Sequence, residues 1–147
     1  MNSKTYKVLK EILSNPGEWR AIPNLAFMAD MTIRQISSII CSYEYLPLVK
    51  ERDDAANRSY VMFPGSPEEA EKAMRMVTEE YYNISEEMKE RVFNSLSTVA
   101  WMSVSDVMDD TSFNRNDVSH TLNLLEGVTT KTSGVLVLYK RDPTEVN

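Results

Sequence analysis

The sequence predicts a mainly α-helical chain of the α+β class, in which two similar units each carry a small β-hairpin and an amphipathic helix joins them. Three observations predict this fold class. Apolar positions of the 147 residues repeat at a spacing of 82. Within each copy, apolar residues first recur at three- and four-residue intervals, as in helices, and then form short β-rich runs. A Pro/Gly-rich break at 64–67 separates the copies and opens a further helical pattern.

The repeat depends on one tryptophan pair and on a set of apolar positions. A shift of 82 places Trp19 on Trp101. The apolar residues that follow also coincide: Ile22 with Val104, Leu25 with Val107, Ala26 with Met108, Met31 with Phe113, Ile36 with Val118, Ile40 with Leu122 and Leu46 with Val128. Self-similarity at a fixed spacing indicates a duplicated structural unit. Because the two indoles are large and occupy matched positions, we expect both to be buried core anchors.

The first copy, residues 1–63, is predicted to run helix, strand, helix, helix and hairpin. Ser3 is placed to cap a first helix that stops at Asn15-Pro16-Gly17. An extended piece at 19–22 precedes a brief helix over 23–29 and a longer helix over 32–43. The runs 46–52 and 58–63 are predicted strands, joined by the turn-forming residues 53–57.

The second copy, residues 85–147, repeats this order. Ser85 is placed to cap a helix whose apolar stripe reaches Val99. An extended piece at 101–104 and two helices, over 105–109 and 114–126, come next. Two β-rich runs then flank Ser133-Gly134, which predicts a second hairpin.

Residues 64–84 form a predicted connector helix between the copies. Ser66 and Glu69 have the spacing of a capping box, and Pro67 stands at the first helical position. Apolar residues recur along one face of this helix: Ala70, Ala73, Met74, Val77 and Tyr81. The stripe requires a partner, which is either the chain's own domains or a second chain in a homodimer.

The charge of the chain is unevenly distributed. The net charge is −6, and it divides into +1 for residues 1–63, −4 for 64–91 and −3 for 92–147. No apolar run approaches the roughly 18–20 residues of a membrane helix, and the first residues lack the pattern of a signal peptide. We therefore expect a cytoplasmic protein without membrane contact.

Residue types with catalytic chemistry are sparse. Cys41 is the one cysteine and His120 the one histidine, so the sequence offers neither an internal disulfide nor a Cys/His zinc site. The four glycines form no phosphate loop or dinucleotide fingerprint. Paired acids such as Asp53-Asp54 fall in predicted turns. The sequence predicts no enzyme, no cofactor and no bound metal.

Two segments carry a family resemblance. The run DMTIRQISSIICSYEYLPLVKE resembles the turn, recognition helix and first wing strand of winged-helix regulators. The run SVSDVMDDTSFNRNDVSHTLNLLEGV is similar to MarR- and ArsR-type repressors, whose pattern is matched by Val118, Ser119, Leu122, Leu125 and Glu126. The resemblance covers nearly everything outside the connector. It implies tandem winged helix-turn-helix domains and DNA-binding transcription regulation.

The outward faces of the two predicted recognition helices carry hydrogen-bonding side chains suited to base edges. In the first helix and its hairpin, the candidate DNA-binding residues are Thr32, Arg34, Gln35, Ser38, Lys50, Arg52 and Arg58. In the second copy they are Asn114, Arg115, Asn116, Ser119, His120, Asn123 and Lys131. The hairpin cations would contact phosphates and set affinity rather than sequence choice.

Two functions from different classes fit these features. The first is a DNA-binding transcriptional regulator that places its recognition helices on double-stranded DNA. The second is an acidic tandem winged-helix adaptor that binds a protein partner, as subunits of chromosome-segregation or complex-assembly machinery do. The polar helix faces favour the first function, and the net charge of −6 favours the second.

Overall fold

The computed structural model describes residues 1–143, and over that range the protein is an α+β fold with seven helices and two small antiparallel sheets. This agrees with the predicted mainly α chain that carries β-hairpins. The chain divides into two compact units, with the boundary between Tyr81 and Tyr82. Among the described residues no helix is both long and apolar enough to cross a membrane.

The first unit contains three helices, a three-stranded sheet and a long closing helix. Its elements are α1 (Ser3–Leu13), β1 (Arg20–Ala21), α2 (Ile22–Ala29), α3 (Ile33–Ser42), β2 (Val49–Asp53), β3 (Arg58–Met62) and α4 (Pro67–Tyr82), whose last residue, Tyr82, belongs to the second unit. The strand order is β1-β3-β2, with both pairs antiparallel. The helices and Val61 of the central strand bury one continuous apolar core.

The second unit repeats the order of helices and hairpin. Its elements are α5 (Glu86–Ser95), α6 (Val104–Thr111), α7 (Arg115–Leu124), β4 (Val128–Ser133) and β5 (Leu136–Arg141). The place of β1 is taken by a single antiparallel bridge between Met102 and Tyr139. The core is smaller, with Val92, Val107 and Val118 fully buried.

The spacing of 82 holds for the helix boundaries as well as for the apolar positions. Both the bounds of α2 and α6 and those of α3 and α7 differ by 82 residues. Thr32 and Asn114, which are equivalent, each cap the following helix through a side-chain oxygen. Ile36 and Val118 are equivalent and fully buried. Local sequence signals therefore fix the same pair of consecutive helices in both units.

Three helix starts illustrate how local chemistry sets the boundaries. The predicted cap Ser3 is wrong, because Asn2 Oδ1 accepts the hydrogen bond from the Thr5 amide at 2.8 Å and Ser3 is already helical. Ser85 is confirmed, since its Oγ accepts from the Met88 amide. The predicted capping box at the start of α4 is also confirmed, with Ser66 and Glu69 bonded reciprocally.

The apolar stripe of α4 packs within the first unit. Ala70, Ala73 and Val77 belong to its buried core, and Met74 packs against it. Tyr81 stacks on Tyr6 of α1 with ring centroids 4.3 Å apart. The sequence left open whether the chain's own domains or a second chain cover this stripe. In the structure the first unit covers it.

Two expectations about apolar residues are wrong. Trp19 is 41% exposed, and Trp101 is partly exposed, so neither indole is a fully buried anchor. Both precede the first extended segment and lie on the outer face of their sheet, where side chains alternate away from the core. Val99 is 85% exposed because α5 ends at Ser95, before the predicted stripe is complete.

Candidate nucleic-acid interface

Helix α3 presents an acid-free surface in an acidic protein. Its ten residues, IRQISSIICS, include one arginine and no carboxylate. Ile36, Ile39 and Ile40 point into the core. The opposite side consists of the exposed side chains of Arg34 and Ser38 together with other small residues. A cation on a helix lined by small side chains can approach a phosphate-rich groove closely, without carboxylate repulsion.

The start of α3 uses two of the predicted DNA-binding side chains as a cap. Thr32 Oγ1 accepts a hydrogen bond from the Gln35 amide at 3.1 Å, and Gln35 Oε1 accepts from the Thr32 amide at 2.9 Å. This reciprocal box satisfies two amides at the helix terminus. The oxygens of Thr32 and Gln35 are therefore already engaged, and their first role is to fix the position of α3.

The end of α3 is held by contacts of the segment that follows it. Tyr43 ends the helix, and its ring meets that of Tyr45 edge-on at 5.9 Å between centroids. Tyr45 Oη donates a hydrogen bond to Glu80 Oε2 of α4 at 3.1 Å. Burial, and then the Glu80 carboxylate, raise the pKa of both phenols. The segment that follows the carboxyl end of α3 is thereby hydrogen-bonded to α4.

The basic and acidic side chains of β2 lie on opposite faces of the strand. Its sequence Val-Lys-Glu-Arg-Asp alternates in sign, and successive side chains of a strand point to opposite faces. Lys50 pairs with the buried Val61 and its Nζ lies 3.4 Å from Ser37 Oγ of α3. Glu51 pairs with Tyr60 and, with that residue and Trp19, lines an open cavity of about 420 Å³ on the outer face. The cation therefore lies beside α3 and the carboxylate lies away from it.

The remaining predicted cations of this hairpin are held at its turn or outer face. Arg52 Nε donates to Asp54 Oδ1 at 3.1 Å, and its guanidinium also bonds Asn57. Arg58 pairs with Asp53 at the last position of the ladder and is exposed on the same face as Tyr60. Lys50 is consequently the hairpin cation that the structure brings next to α3.

The equivalent helix of the second unit has its polar groups largely engaged. Asn114 Oδ1 accepts from the Asp117 amide at 2.9 Å, and its Nδ2 donates to the Asp117 carboxylate at 3.0 Å. Arg115 Nη2 donates to Ser105 Oγ of α6 at 2.9 Å. Asn116 and Asn123 are exposed, and Ser119 is half-buried.

His120 is covered by an aromatic ring. Its imidazole stacks on Tyr82 with a centroid distance of 3.6 Å and an interplanar angle of 15°. The sequence placed His120 on a solvated helix face, whereas the structure makes it half-buried. No local pattern links two residues 38 positions apart, which is why the sequence did not reveal the contact. Part of the predicted reading face of α7 is therefore occupied.

Lys131 lies on the other side of its hairpin from the core. It pairs with Leu138, next to the buried Tyr139, so its side chain points to the outer face. There the ammonium groups of Lys131 and Lys140 lie 4.5 Å and 4.7 Å from the ring centre of Trp101. These cation–π contacts engage Lys131 away from α7.

Two other kinds of group remain to be described, the possible metal ligands and the cysteine thiol. Within residues 1–143 no three or more His, Cys, Asp or Glu side chains are grouped so as to hold a metal ion. Cys41 is exposed on α3 as a free thiol. In comparisons with known proteins, no family model matches the chain and no curated protein is significantly similar to it.

Proposed function

We propose that the protein is a DNA-binding transcriptional regulator and that its first unit makes the principal contact with double-stranded DNA. The single observation that carries this proposal is the joint surface of α3 and Lys50. That surface combines an acid-free helix with a hairpin cation 3.4 Å from Ser37 Oγ. The neighbouring carboxylate Glu51 is directed to the other face of the hairpin.

The proposed domains are tandem winged helix-turn-helix modules. In each unit a short helix and a longer helix are followed by a hairpin, the order in which a recognition helix precedes a wing. In the first unit α3 would lie in the major groove and β2–β3 would lie along the backbone. The second unit has the same element order, but its recognition face is partly covered at His120. We therefore assign base reading to α3.

The roles of two cations follow from their positions. Arg34 is exposed near the amino-terminal end of α3, where recognition helices contact base edges, and arginine pairs with guanine O6 and N7. Lys50 stands on the hairpin beside α3, where it would neutralise a phosphate. Ser38, a small exposed residue on the same helix, permits close approach to the groove.

The experiment is a selection followed by a titration. Labelled duplexes from a random pool are incubated with the full chain at ~50 mM salt, where phosphate attraction is strong, and retained sequences are titrated by anisotropy. Arg34→Ala should weaken the selected site by about 1–3 kcal/mol and relax its sequence choice. Lys50→Ala should weaken all duplexes alike and lower the salt slope by about one.

A matched control separates site-specific effects from net charge. Lys72→Ala removes the same charge from an exposed position on α4 and should leave affinity nearly unchanged. If no duplex is retained at ~50 mM salt, the proposal fails. The second candidate, a protein-binding adaptor, is favoured by the net charge of −6 and would then take its place.

A further inference from the structure

One edge of the second hairpin has unpaired backbone groups. The amide and carbonyl of Tyr139 both bond Met102 at 2.8 Å, so they point away from β4. Backbone groups alternate in direction along an antiparallel strand, and those of Val137 therefore point to the same side as those of Tyr139. Within the described residues, the chain forms no strand pair with Val137 on that side.

The apolar side chains at this edge are unusually exposed. Val135 is 100% exposed, Leu136 55% and Val137 44%. Val135 lies with Gly134 in the turn of the hairpin, and Leu136 and Val137 begin β5. A flat apolar edge with unpaired amides is a template for the addition of another strand, and natural edges usually carry charges or prolines that prevent it. Here neither is present between 135 and 139.

A groove lies beside this edge. It has a volume of about 440 Å³, and its walls include Val135 and Val137 of the hairpin, Ser105 of α6, and Arg115 and Ser119 of α7. No acidic residue lines it, and Arg115 is the charged side chain among its walls. The Arg115 guanidinium is held towards α6 by its hydrogen bond to Ser105. The groove is therefore apolar along the strand and cationic at the helices.

We propose that the hairpin edge formed by Val135 of the turn and Val137 of β5 binds an extended peptide segment of a partner protein, added as a strand, with an apolar side chain in the groove and a carboxylate at Arg115. Backbone hydrogen bonds would supply affinity and the alternate side chains specificity, as in other cases of strand addition. This inference goes beyond DNA binding, because it gives the second unit a partner of its own.

Charge argues for a peptide rather than a second copy of the chain. Two copies joined through this edge by a two-fold axis would bring equivalent surfaces together, including both Arg115 side chains. The strand that a second copy would add, Leu136–Arg141, carries a lysine and an arginine but no carboxylate, whereas an acidic segment complements the single cation. An apolar strand that carries one carboxylate is thus the occupant that the groove favours.

The test uses the full chain and a capped synthetic hexapeptide in which valine alternates with threonine and one valine is replaced by glutamate, so that the carboxylate lies on the same face as the remaining valines. Peptide binding should slow hydrogen exchange of the Val137 amide by about tenfold or more at saturation. Val137→Pro removes that donor without removing a bond to β4, and should abolish the binding. Replacement of glutamate by glutamine in the peptide should weaken binding to the wild type, and much less to Arg115→Gln.

The matched control is Thr132→Pro. Thr132 is the cross-strand partner of Val137, and its amide faces the opposite edge of the same hairpin. This variant should bind the peptide as the wild type does.

Equal binding to the wild type and to Val137→Pro would overturn the proposal, as would a peptide that protects no amide of β5. Self-association of the wild type that is lost in Val137→Pro would instead make a second copy the occupant. Val137→Pro should lose peptide binding and still bind duplex DNA. The peptide site and the proposed DNA-binding function can therefore fail independently of each other.

Discussion

Asp30 and Ser112 lie 82 residues apart and both adopt the left-handed backbone conformation, with φ of 54° and 65°. Each ends the helix that precedes the turn, α2 in one unit and α6 in the other. Glycine is the usual residue at such a position, because a Cβ atom disfavours positive φ. In both units the turn is therefore specified by the end of the first helix and by the capping of the second. It forms although positive φ at a residue other than glycine costs free energy.

Replacing Ser112 by glycine should stabilise the second unit. Glycine removes the cost of positive φ, and the greater flexibility of the unfolded chain offsets part of the gain. We expect the free energy of unfolding to rise by about 0.5–1 kcal/mol in urea denaturation. Ser14→Gly is the matched control, because Ser14 ends α1 with right-handed backbone, φ −71°, and glycine should destabilise there. A loss of stability in Ser112→Gly would contradict the assigned backbone.

The hydrogen bond between Tyr45 and Glu80 should make stability depend on alkaline pH. Burial, then the Glu80 carboxylate, raise the pKa of Tyr45 above the value of about 10 in the unfolded chain. Because the folded pKa is raised, this contribution to stability is fully present below pH ~10 and is lost as the pH rises above it.

Urea unfolding at several pH values checks this expectation. In Tyr45→Phe the alkaline decline of the unfolding free energy should be shallower than in the wild type. Glu80→Gln should also reduce the decline, since it removes one of the causes of the raised pKa. Identical pH profiles for the wild type and Tyr45→Phe would show that the contact does not couple to folding.

Val77 should contribute to the stability of the first unit through packing of α4. Its side chain is fully buried in the core of that unit. Val77→Ala removes two methyl groups and leaves a cavity, so the free energy of unfolding should fall by about 2 kcal/mol. Met76 immediately precedes Val77 in α4 and is 45% exposed. Met76→Ala should therefore change the free energy of unfolding by less than about 0.5 kcal/mol.

The same pair of variants tests where the α4 stripe packs. If it packs within one chain, the loss in Val77→Ala is independent of protein concentration. A loss that grows on dilution, accompanied by dissociation in sedimentation, would show that a second chain covers the helix instead.

The helices and their order could be predicted from the sequence because their signals are local. Capping residues such as Ser85, the capping box of Ser66 and Glu69, and apolar spacing of three and four act within one or two turns. The spacing of 82 likewise predicted that α2 and α3 of the first unit have counterparts, α6 and α7, in the second. The acid-free composition of α3 and the sign alternation of β2 are also sequence properties, and they predict which side chains can serve as a cationic surface.

The use of each candidate side chain was decided only by tertiary structure. Whether Lys50 meets α3, Lys131 covers Trp101 or Tyr82 stacks on His120 depends on the pairing register and on contacts between residues far apart in the chain. Trp19 shows the same limit, since an apolar residue matched by a repeat can still stand on the outer face of a sheet. Periodicity specifies which face of an element is apolar, whereas the packing of other elements determines which polar groups on the remaining faces stay available for a ligand.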